Sequence, residues 1–170
     1  MPIYEKKQNM HKILIFVGLF LIIRIATAQD IALIKIADLE KILEEKSEKV
    51  KVINFWATWC KPCVAEMPQF EALKANKEFQ NVEILLVSVD FAQDVEKVKR
   101  FITKRQLKNK VVLLNETDAN SWIDRVEPTW GGAIPATLLI DGRTNRRLFL
   151  EKEFHQNELE EVVRKFINQQ

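Results

Sequence analysis

The chain is poor in the residues that mark several protein classes. Its 170 residues include only two cysteines, two histidines, four glycines and five prolines. Two cysteines cannot build a disulfide-rich scaffold, and so few glycines and prolines exclude collagen-like and low-complexity chains. A net charge of +2 gives no electrostatic case for nucleic acid as a partner. What is abundant is apolar: 47% hydrophobic residues, with ten Phe and four Trp, predict a folded domain with a real core.

The N-terminus has the pattern of an export signal. Three lysines precede an apolar run, Ile13–Ile23, whose 11 residues are too few for a bilayer-spanning helix, which needs about 20. Small residues follow at Ala26 and Ala28, as signal peptidase requires. The sequence therefore predicts a cleavable signal over residues 1–28 and one domain over residues 29–170.

An uncleaved membrane anchor is the alternative, because Ile25 would extend the apolar run past a snorkelling Arg24. Both readings place the domain outside the cytoplasm, in the periplasm or cell envelope of a bacterium. Contact with the membrane is expected only if the signal is retained.

Apolar, β-branched runs alternate with segments of helical periodicity along the rest of the chain. The predicted strands are Ile31–Ile36, Val50–Trp56, Val82–Val89, Val111–Leu114, Ala136–Ile140 and Arg147–Leu150. The predicted helices are Asp38–Lys46, Cys60–Lys77, Val95–Gln106, Asp118–Val126 and a last one containing Val162 to Ile167. This order predicts an α/β domain in which helices cover a mixed sheet.

Both cysteines lie where a strand passes into a helix, in Cys60-Lys61-Pro62-Cys63. A cysteine at a helix start faces unpaired N–H groups and the positive end of the helix dipole, which favour the nucleophilic thiolate. Cys63 lies one turn on and reaches Cys60. We expect Cys60 to be the exposed, acidic thiol and Cys63 the buried one. Closing so short a loop removes little chain entropy, so the pair suits a redox switch better than a structural staple.

Three other interpretations of the pair are open. Half of a zinc site would need two further ligands, and after the signal only His155 remains. The other two are an inert structural disulfide and a buried, unreactive thiol pair. Redox activity is the interpretation that the position favours.

The segment FWATWCKPC resembles the active-site segment of the thioredoxin superfamily, and Ile134-Pro135-Ala136-Thr137 is similar to the family's second signature. The longer pattern NFWATWCxPCxxExP, together with a signal, resembles the exported TlpA/ResA-type thiol–disulfide oxidoreductases. This resemblance implies a thioredoxin-like fold with an extra helix and strand, expected between residues 91 and 117.

The resemblance also implies roles for individual residues. Cys60 matches the attacking cysteine, Cys63 the resolving one and Pro135 a cis-proline that lies against the dithiol. Ile134, before that proline, would touch the redox centre and, with Pro62, Pro135 and Trp59, would contact the substrate. Trp130 would join Trp59 in an apolar rim around the dithiol, pack in the core or anchor a loop.

One departure from thioredoxin concerns proton transfer. Where many thioredoxins have a buried Asp, this chain has Asn54, which cannot accept a proton. Glu66, three residues after Cys63, is the candidate base because it shares a helical face with that cysteine. The alternative is an ordinary solvated helix residue. If Glu66 is the base, Glu66→Gln should slow exchange and change the free energy of unfolding by less than ~1 kcal/mol.

The predicted reaction is reduction of protein disulfides by the Cys60–Cys63 dithiol, with no organic cofactor or metal. The resemblance implies a membrane thiol reductase as electron donor. A net oxidase or isomerase with the same dithiol, a thiol peroxidase and a non-catalytic redox-sensing or binding module remain alternatives. Ala57 stands three residues before Cys60, where a peroxidase would carry Thr.

Overall fold

The structure is a computed structural model that describes residues 30–169; the predicted signal, residues 1–28, lies outside this range. Its strands are β1 (Ala32–Ile34), β2 (Val50–Trp56), β3 (Val82–Ser88), β4 (Lys110–Leu114), β5 (Ala136–Asp141) and β6 (Arg147–Leu150). Its α-helices are α1 (Ile36–Glu44), α2 (Lys61–Ala75), α3 (Val95–Arg105), α4 (Ile123–Val126) and α5 (Glu158–Asn168). Within residues 30–169 no helix has the length and hydropathy needed to cross a bilayer.

The six strands form one mixed sheet in the order β1-β4-β3-β2-β5-β6. β1, β4, β3 and β2 run parallel, whereas β5 is antiparallel to both β2 and β6. The register sets Trp56 beside Ser88 and Phe55 beside Ala136. The carboxyl ends of β2 and β3 therefore meet the amino end of β5 at one edge of the sheet.

β2 lies at the centre of the fold, and all seven of its residues are buried. Successive side chains alternate between the two faces of a strand. Val52 and Trp56 pack in the core that lies under α2, α3 and α5. Ile53 and Phe55 pack in the core on the opposite face, under α1 and α4. Asn54 shares the face of Val52 and Trp56, so it points beneath α2.

The element boundaries follow local capping. α1 begins at Ile36, two residues earlier than expected, because Asp38 reaches back and accepts the Lys35 N–H. The expected helix over 118–126 is split into a 3₁₀ turn, Ala119–Ser121, and α4, since the Asp118 carboxylate caps the Asn120 N–H and starts the turn separately.

The stretch between β3 and residue 117 contains the extra helix and strand that the family resemblance implied. α3 packs on the sheet through Val98 and Ile102, both buried. β4 inserts between β3 and β1, so that β1 pairs with β4 alone. The predicted α/β thioredoxin-like architecture is confirmed.

Candidate active site

The dithiol lies where β2 gives way to α2. Cys60 is the N-cap of α2, and its Sγ accepts a hydrogen bond from the Cys63 N–H at 3.3 Å. The two cysteines are joined as a disulfide. Because the Cys63 N–H of the first helical turn already points at Cys60 Sγ, this position favours a thiolate at Cys60 once the bond is reduced.

The two cysteines differ in exposure less than we expected. Cys63 is fully buried, but Cys60 exposes only 6% of its surface. Cys60 is covered because the backbone before β5 approaches it: the Ile134 carbonyl oxygen lies 3.7 Å from Cys60 Sγ. The prediction of an exposed Cys60 is therefore wrong: both residues are buried, and Cys60 is only the less buried of the two.

The Ile134–Pro135 peptide bond is cis. Pro135 stands directly before β5, and β5 pairs with β2 so that Ala136 lies beside Phe55. That register is what brings Ile134 and Pro135 to the carboxyl end of β2, next to the dithiol. Two motifs separated by about 70 residues therefore meet because their strands are neighbours in the sheet.

Glu66 is buried, not solvated, and the interpretation of it as a surface residue is wrong. Its side chain is fully covered because the face of α2 that carries Cys63 turns onto the sheet. One carboxylate oxygen accepts from Asn54 Nδ2 at 2.9 Å, and the other accepts from the Phe154 N–H at 2.9 Å. Burial raises the pKa of Glu66 to about 7, while the hydrogen bonds from Phe154 and Asn54 oppose that rise.

Asn54 connects this acid to the strand that follows the cis-proline. Its Nδ2 also donates to Thr137 Oγ1 at 3.0 Å, whereas its Oδ1 is buried without a hydrogen-bond partner. Thr137 is therefore structural in this network. The position that holds a carboxylic acid in many thioredoxins holds here an amide that contacts one.

The two tryptophans near the site, Trp59 and Trp130, differ in exposure. Trp59, directly before Cys60, exposes 59% of its surface. Trp130 is buried against Phe55 and Trp122, and its indole N–H donates to the Ala133 carbonyl at 2.9 Å. Trp130 therefore packs in the core and anchors the loop at Ala133, and it does not join Trp59 in an exposed rim. Pro62 stands in the first turn of α2, partly exposed.

Sequence reasoning missed two residues after β3. Phe91 exposes 61% of its surface, and Asp90 before it is buried. The Asp90 carboxylate accepts from the Thr58 N–H at 2.9 Å, from Thr58 Oγ1 and from Ser88 Oγ. These hydrogen bonds, which we call the Asp90 tie, join the segment after β2 to the segment after β3. Trp59 follows Thr58 and Phe91 follows Asp90, so both lie at the dithiol end of the sheet. The parallel pairing of β2 and β3 was the available signal, since it brings their carboxyl ends together.

Comparisons with known proteins agree with this geometry. The model of the AhpC/TSA family matches residues 26–145. Thiol-disulfide oxidoreductase ResA of Geobacillus thermodenitrificans is 34% identical over 117 residues, which are 68% of this chain and 62% of that protein. ResA of Bacillus thuringiensis subsp. konkukian is 34% identical over 134 residues, 76% of this chain and 72% of that protein. The chain thus spans about three fifths of the length of the Geobacillus relative.

Solved structures show the same fold at lower identity. A thioredoxin-related protein from Neisseria meningitidis serogroup B is 22% identical, with a TM-score of 0.58 over 70% of this chain and 85% of its own. A secreted disulfide oxidoreductase of Mycobacterium tuberculosis is 24% identical, with a TM-score of 0.54 over 70% of this chain and 83% of its own. The chain has a dithiol beside a cis-proline, and it is similar to the ResA thiol-disulfide oxidoreductases. Because the family model matches residues 26–145, the chain belongs to the AhpC/TSA family of thioredoxin-like proteins.

Proposed function

We propose that this protein is a thiol–disulfide oxidoreductase that reduces protein disulfides outside the cytoplasm. The observation that carries the proposal is the placement of Cys60 at the start of α2, bonded to Cys63, with the Ile134 carbonyl 3.7 Å from its sulfur. A helix start supplies the thiolate, and the adjacent cis-proline segment supplies backbone to which a substrate chain can pair.

The reaction proceeds by two exchanges. Cys60 thiolate attacks one sulfur of the substrate disulfide, and the other substrate sulfur leaves as a thiolate that takes a proton from solvent. Cys63 then loses its proton and attacks Cys60 Sγ, which releases the first substrate sulfur as a thiolate that takes a proton from solvent and becomes the second thiol. Two electrons and two protons pass to the substrate, and the Cys60–Cys63 disulfide is formed.

Glu66 is the group that we assign to the proton of Cys63. It lies one helical turn after Cys63, and both side chains are fully buried, so bulk water does not surround the thiol that must ionise. A carboxylate whose pKa burial has raised to about 7 gains and loses a proton near neutral pH, where a general base works best.

The substrate surface surrounds Cys60. Ile134 and Pro135 offer the backbone edge, and Pro62 and Trp59 border the dithiol on the α2 side. The exposed ring of Phe91 extends this apolar border on the β3 side. A protein disulfide flanked by apolar side chains fits this surface best.

The direction and setting of the reaction belong to the same proposal. An Ile before the cis-proline resembles reducing thioredoxins, and the signal pattern over residues 1–28 supports export. Regeneration outside the cytoplasm then requires a membrane thiol reductase as donor. The dithiol carries the electrons itself, so the cycle needs no organic cofactor or metal.

The test uses the chain without residues 1–28 and its Cys63→Ser variant. The reduced protein should reduce insulin with turnover in the presence of dithiothreitol, and Cys63→Ser should remain joined to substrate through Cys60 as a mixed disulfide. Iodoacetamide should label Cys60 before Cys63 at neutral pH. Absence of both turnover and trapping would favour a redox-sensing module.

Two measurements separate the enzymatic rivals. A low reduction potential supports a reductase, whereas a high one supports an oxidase or isomerase. Hydrogen peroxide offered in place of insulin tests for a thiol peroxidase, and consumption of peroxide faster than of disulfide would overturn the proposal.

A further inference from the structure

A short loop, Gly131–Ala133, leads into the cis-proline segment and is held from two sides. From the core, the Trp130 indole N–H donates to the Ala133 carbonyl at 2.9 Å. From the solvent side, the Glu151 carboxylate accepts the Gly131 N–H at 3.0 Å with one oxygen and the Ala133 N–H at 2.7 Å with the other. Both oxygens of one exposed carboxylate are therefore used on the backbone of this loop.

The sheet places Glu151 at this loop. β6 pairs antiparallel with β5, and its last residue, Leu150, lies beside Thr137. Glu151 follows Leu150, so the register brings it level with Ala136, at the start of β5. The carboxylate therefore stands next to the residues that precede β5, although it is 18 and 20 residues away along the chain.

The loop is shaped to admit the carboxylate. A Cβ at position 131 would lie 3.2 Å from Glu151 Oε1 and 3.3 Å from Oε2, closer than ordinary contact distance. Gly132 has a φ of +90°, a conformation that other residues rarely adopt. Gly131 thus leaves room for the carboxylate, and Gly132 allows the turn that follows it.

What this loop holds in place is Ile134. Its carbonyl oxygen is 3.7 Å from Cys60 Sγ, and its N–H donates no hydrogen bond to any group within residues 30–169. An extended chain that brings its disulfide to Cys60 would pair with this backbone. The orientation of the Ile134 peptide is set by Ala133, which Glu151 and Trp130 fix through its N–H and its carbonyl.

We propose that Glu151 is a positioning residue for protein substrates: by fixing the Gly131–Ala133 loop, it presents the Ile134 backbone for pairing with the chain that carries the disulfide. The inference rests on the proposed function and adds a residue that does not touch sulfur. It also commits to a substrate class, an extended polypeptide, since a small disulfide has no backbone to pair with.

The experiment compares two oxidants of the reduced protein, insulin and bis(2-hydroxyethyl) disulfide. Glu151→Ala should lower kcat/KM for insulin by about 10-fold, the loss expected for two hydrogen bonds to a charged acceptor that act through substrate pairing. The loss should appear in KM with kcat nearly unchanged, because pairing is equal in the ground and transition states. The rate with bis(2-hydroxyethyl) disulfide should change by less than about 2-fold, since that compound cannot pair.

Controls address the loop itself. In Glu151→Ala, amide hydrogen exchange at Gly131 and Ala133 should become faster, while β2 and β5 stay protected. Glu48→Gln replaces an exposed carboxylate before β2, at the opposite end of that strand from Cys60, and should change neither rate. Gly131→Ala should impair insulin reduction in the native chain but add little to Glu151→Ala, because both changes act on one contact.

The outcomes are distinct. An equal loss with both disulfides would mean that Glu151 acts on the dithiol or the fold, and no loss with insulin would mean that the loop needs no clamp; either result overturns the inference. If the native protein itself reduces neither disulfide, the proposed function has failed, whatever Glu151 does.

Discussion

Glu66 and Asp90 are two buried acids near the dithiol, and their surroundings differ in kind. Asp90 accepts three hydrogen bonds, two of them from hydroxyl groups, and ties the segment after β2 to the segment after β3. Glu66 accepts only two, from one backbone N–H and from Asn54. The Asp90 carboxylate therefore crosslinks two segments of the chain. The Glu66 carboxylate has fewer hydrogen-bond donors, and its burial favours the neutral form. The donors around a buried acid thus separate a structural role from a proton-carrying one.

The largest effect expected from this contrast is on folding. Asp90→Ala leaves the Thr58 N–H and two hydroxyl groups without their acceptor inside the protein, so we expect the free energy of unfolding to fall by about 3 kcal/mol. Urea denaturation measures it. Asp90→Asn keeps the shape and one acceptor oxygen, and rotating hydroxyls can accept from its amide, so it should cost less than half as much. Equal losses in the two variants would show that packing, not the hydrogen-bonded tie, is what Asp90 supplies.

The second effect is a pH dependence of stability that Glu66 should produce near neutral pH. Its pKa is about 7 in the folded protein and 4.5 in the reference state, so between these values the folded protein holds a proton that the unfolded chain has lost. Stability contributed by this proton is full below pH 4.5 and is lost as the pH rises through 7, by at most about 3 kcal/mol.

Glu66→Gln should remove this slope, as urea denaturation between pH 4 and pH 8 will show. The amide of Asn54 can turn so that its Oδ1 accepts from the new Gln and from the Thr137 hydroxyl, which keeps the contact between positions 54 and 66. The variant should therefore match the native protein near pH 5 and exceed it in stability at pH 8. This replaces the expectation that Glu66→Gln changes the free energy of unfolding by less than ~1 kcal/mol, which was based on surface substitutions. An unchanged slope would place the titrating group elsewhere.

Much of this site could be predicted because its signals are local. β2 is a run of β-branched and aromatic residues, and its bounds were predicted without error. The dithiol at a strand-to-helix junction and the Ile-Pro pair before a strand are short motifs. The start of α1 was missed because two carboxylates cap it: Asp38 accepts the Lys35 N–H, and Glu116, which is 80 residues away, accepts the Ile36 N–H.

The burial of Glu66 could not be predicted from its spacing, because i, i+3 spacing shows that Cys63 and Glu66 share a face but not which way that face turns. Its direction depends on how α2 crosses β2, and on the Phe154 N–H, which reaches Glu66 from 88 residues away. Glu151 and Asp90 were missed for the same reason: each is an ordinary acid until a strand register places it beside a distant loop.

The third effect is on exchange rate. Glu66→Gln should slow reduction of insulin at pH 7 by about 10-fold or more, at the low end of general-base effects, because the Cys63 thiol loses its proton acceptor. The pH–rate profile should lose its inflection near 7. Stopped-flow oxidation of the reduced protein measures both. Glu48→Gln is the control, and an unchanged rate and profile would return the base to water.

The smallest effect tests the exposed border that the Asp90 tie holds at the dithiol. Phe91→Ser should raise KM for insulin by about 3-fold and leave kcat unchanged, since an exposed ring that becomes covered in the complex contributes on the order of 1 kcal/mol. Stability should change by less than ~0.5 kcal/mol, because the ring is 61% exposed in the free protein.

Leu33→Ser is the matched control: Leu33 is 47% exposed on β1, the edge strand three places from β2, and should leave KM unchanged. With bis(2-hydroxyethyl) disulfide, which offers no apolar side chain, Phe91→Ser should react at the native rate. A slower reaction with this small compound would mean that Phe91 affects the dithiol itself through the Asp90 tie. Phe91 would then have no separate role in contacting the substrate.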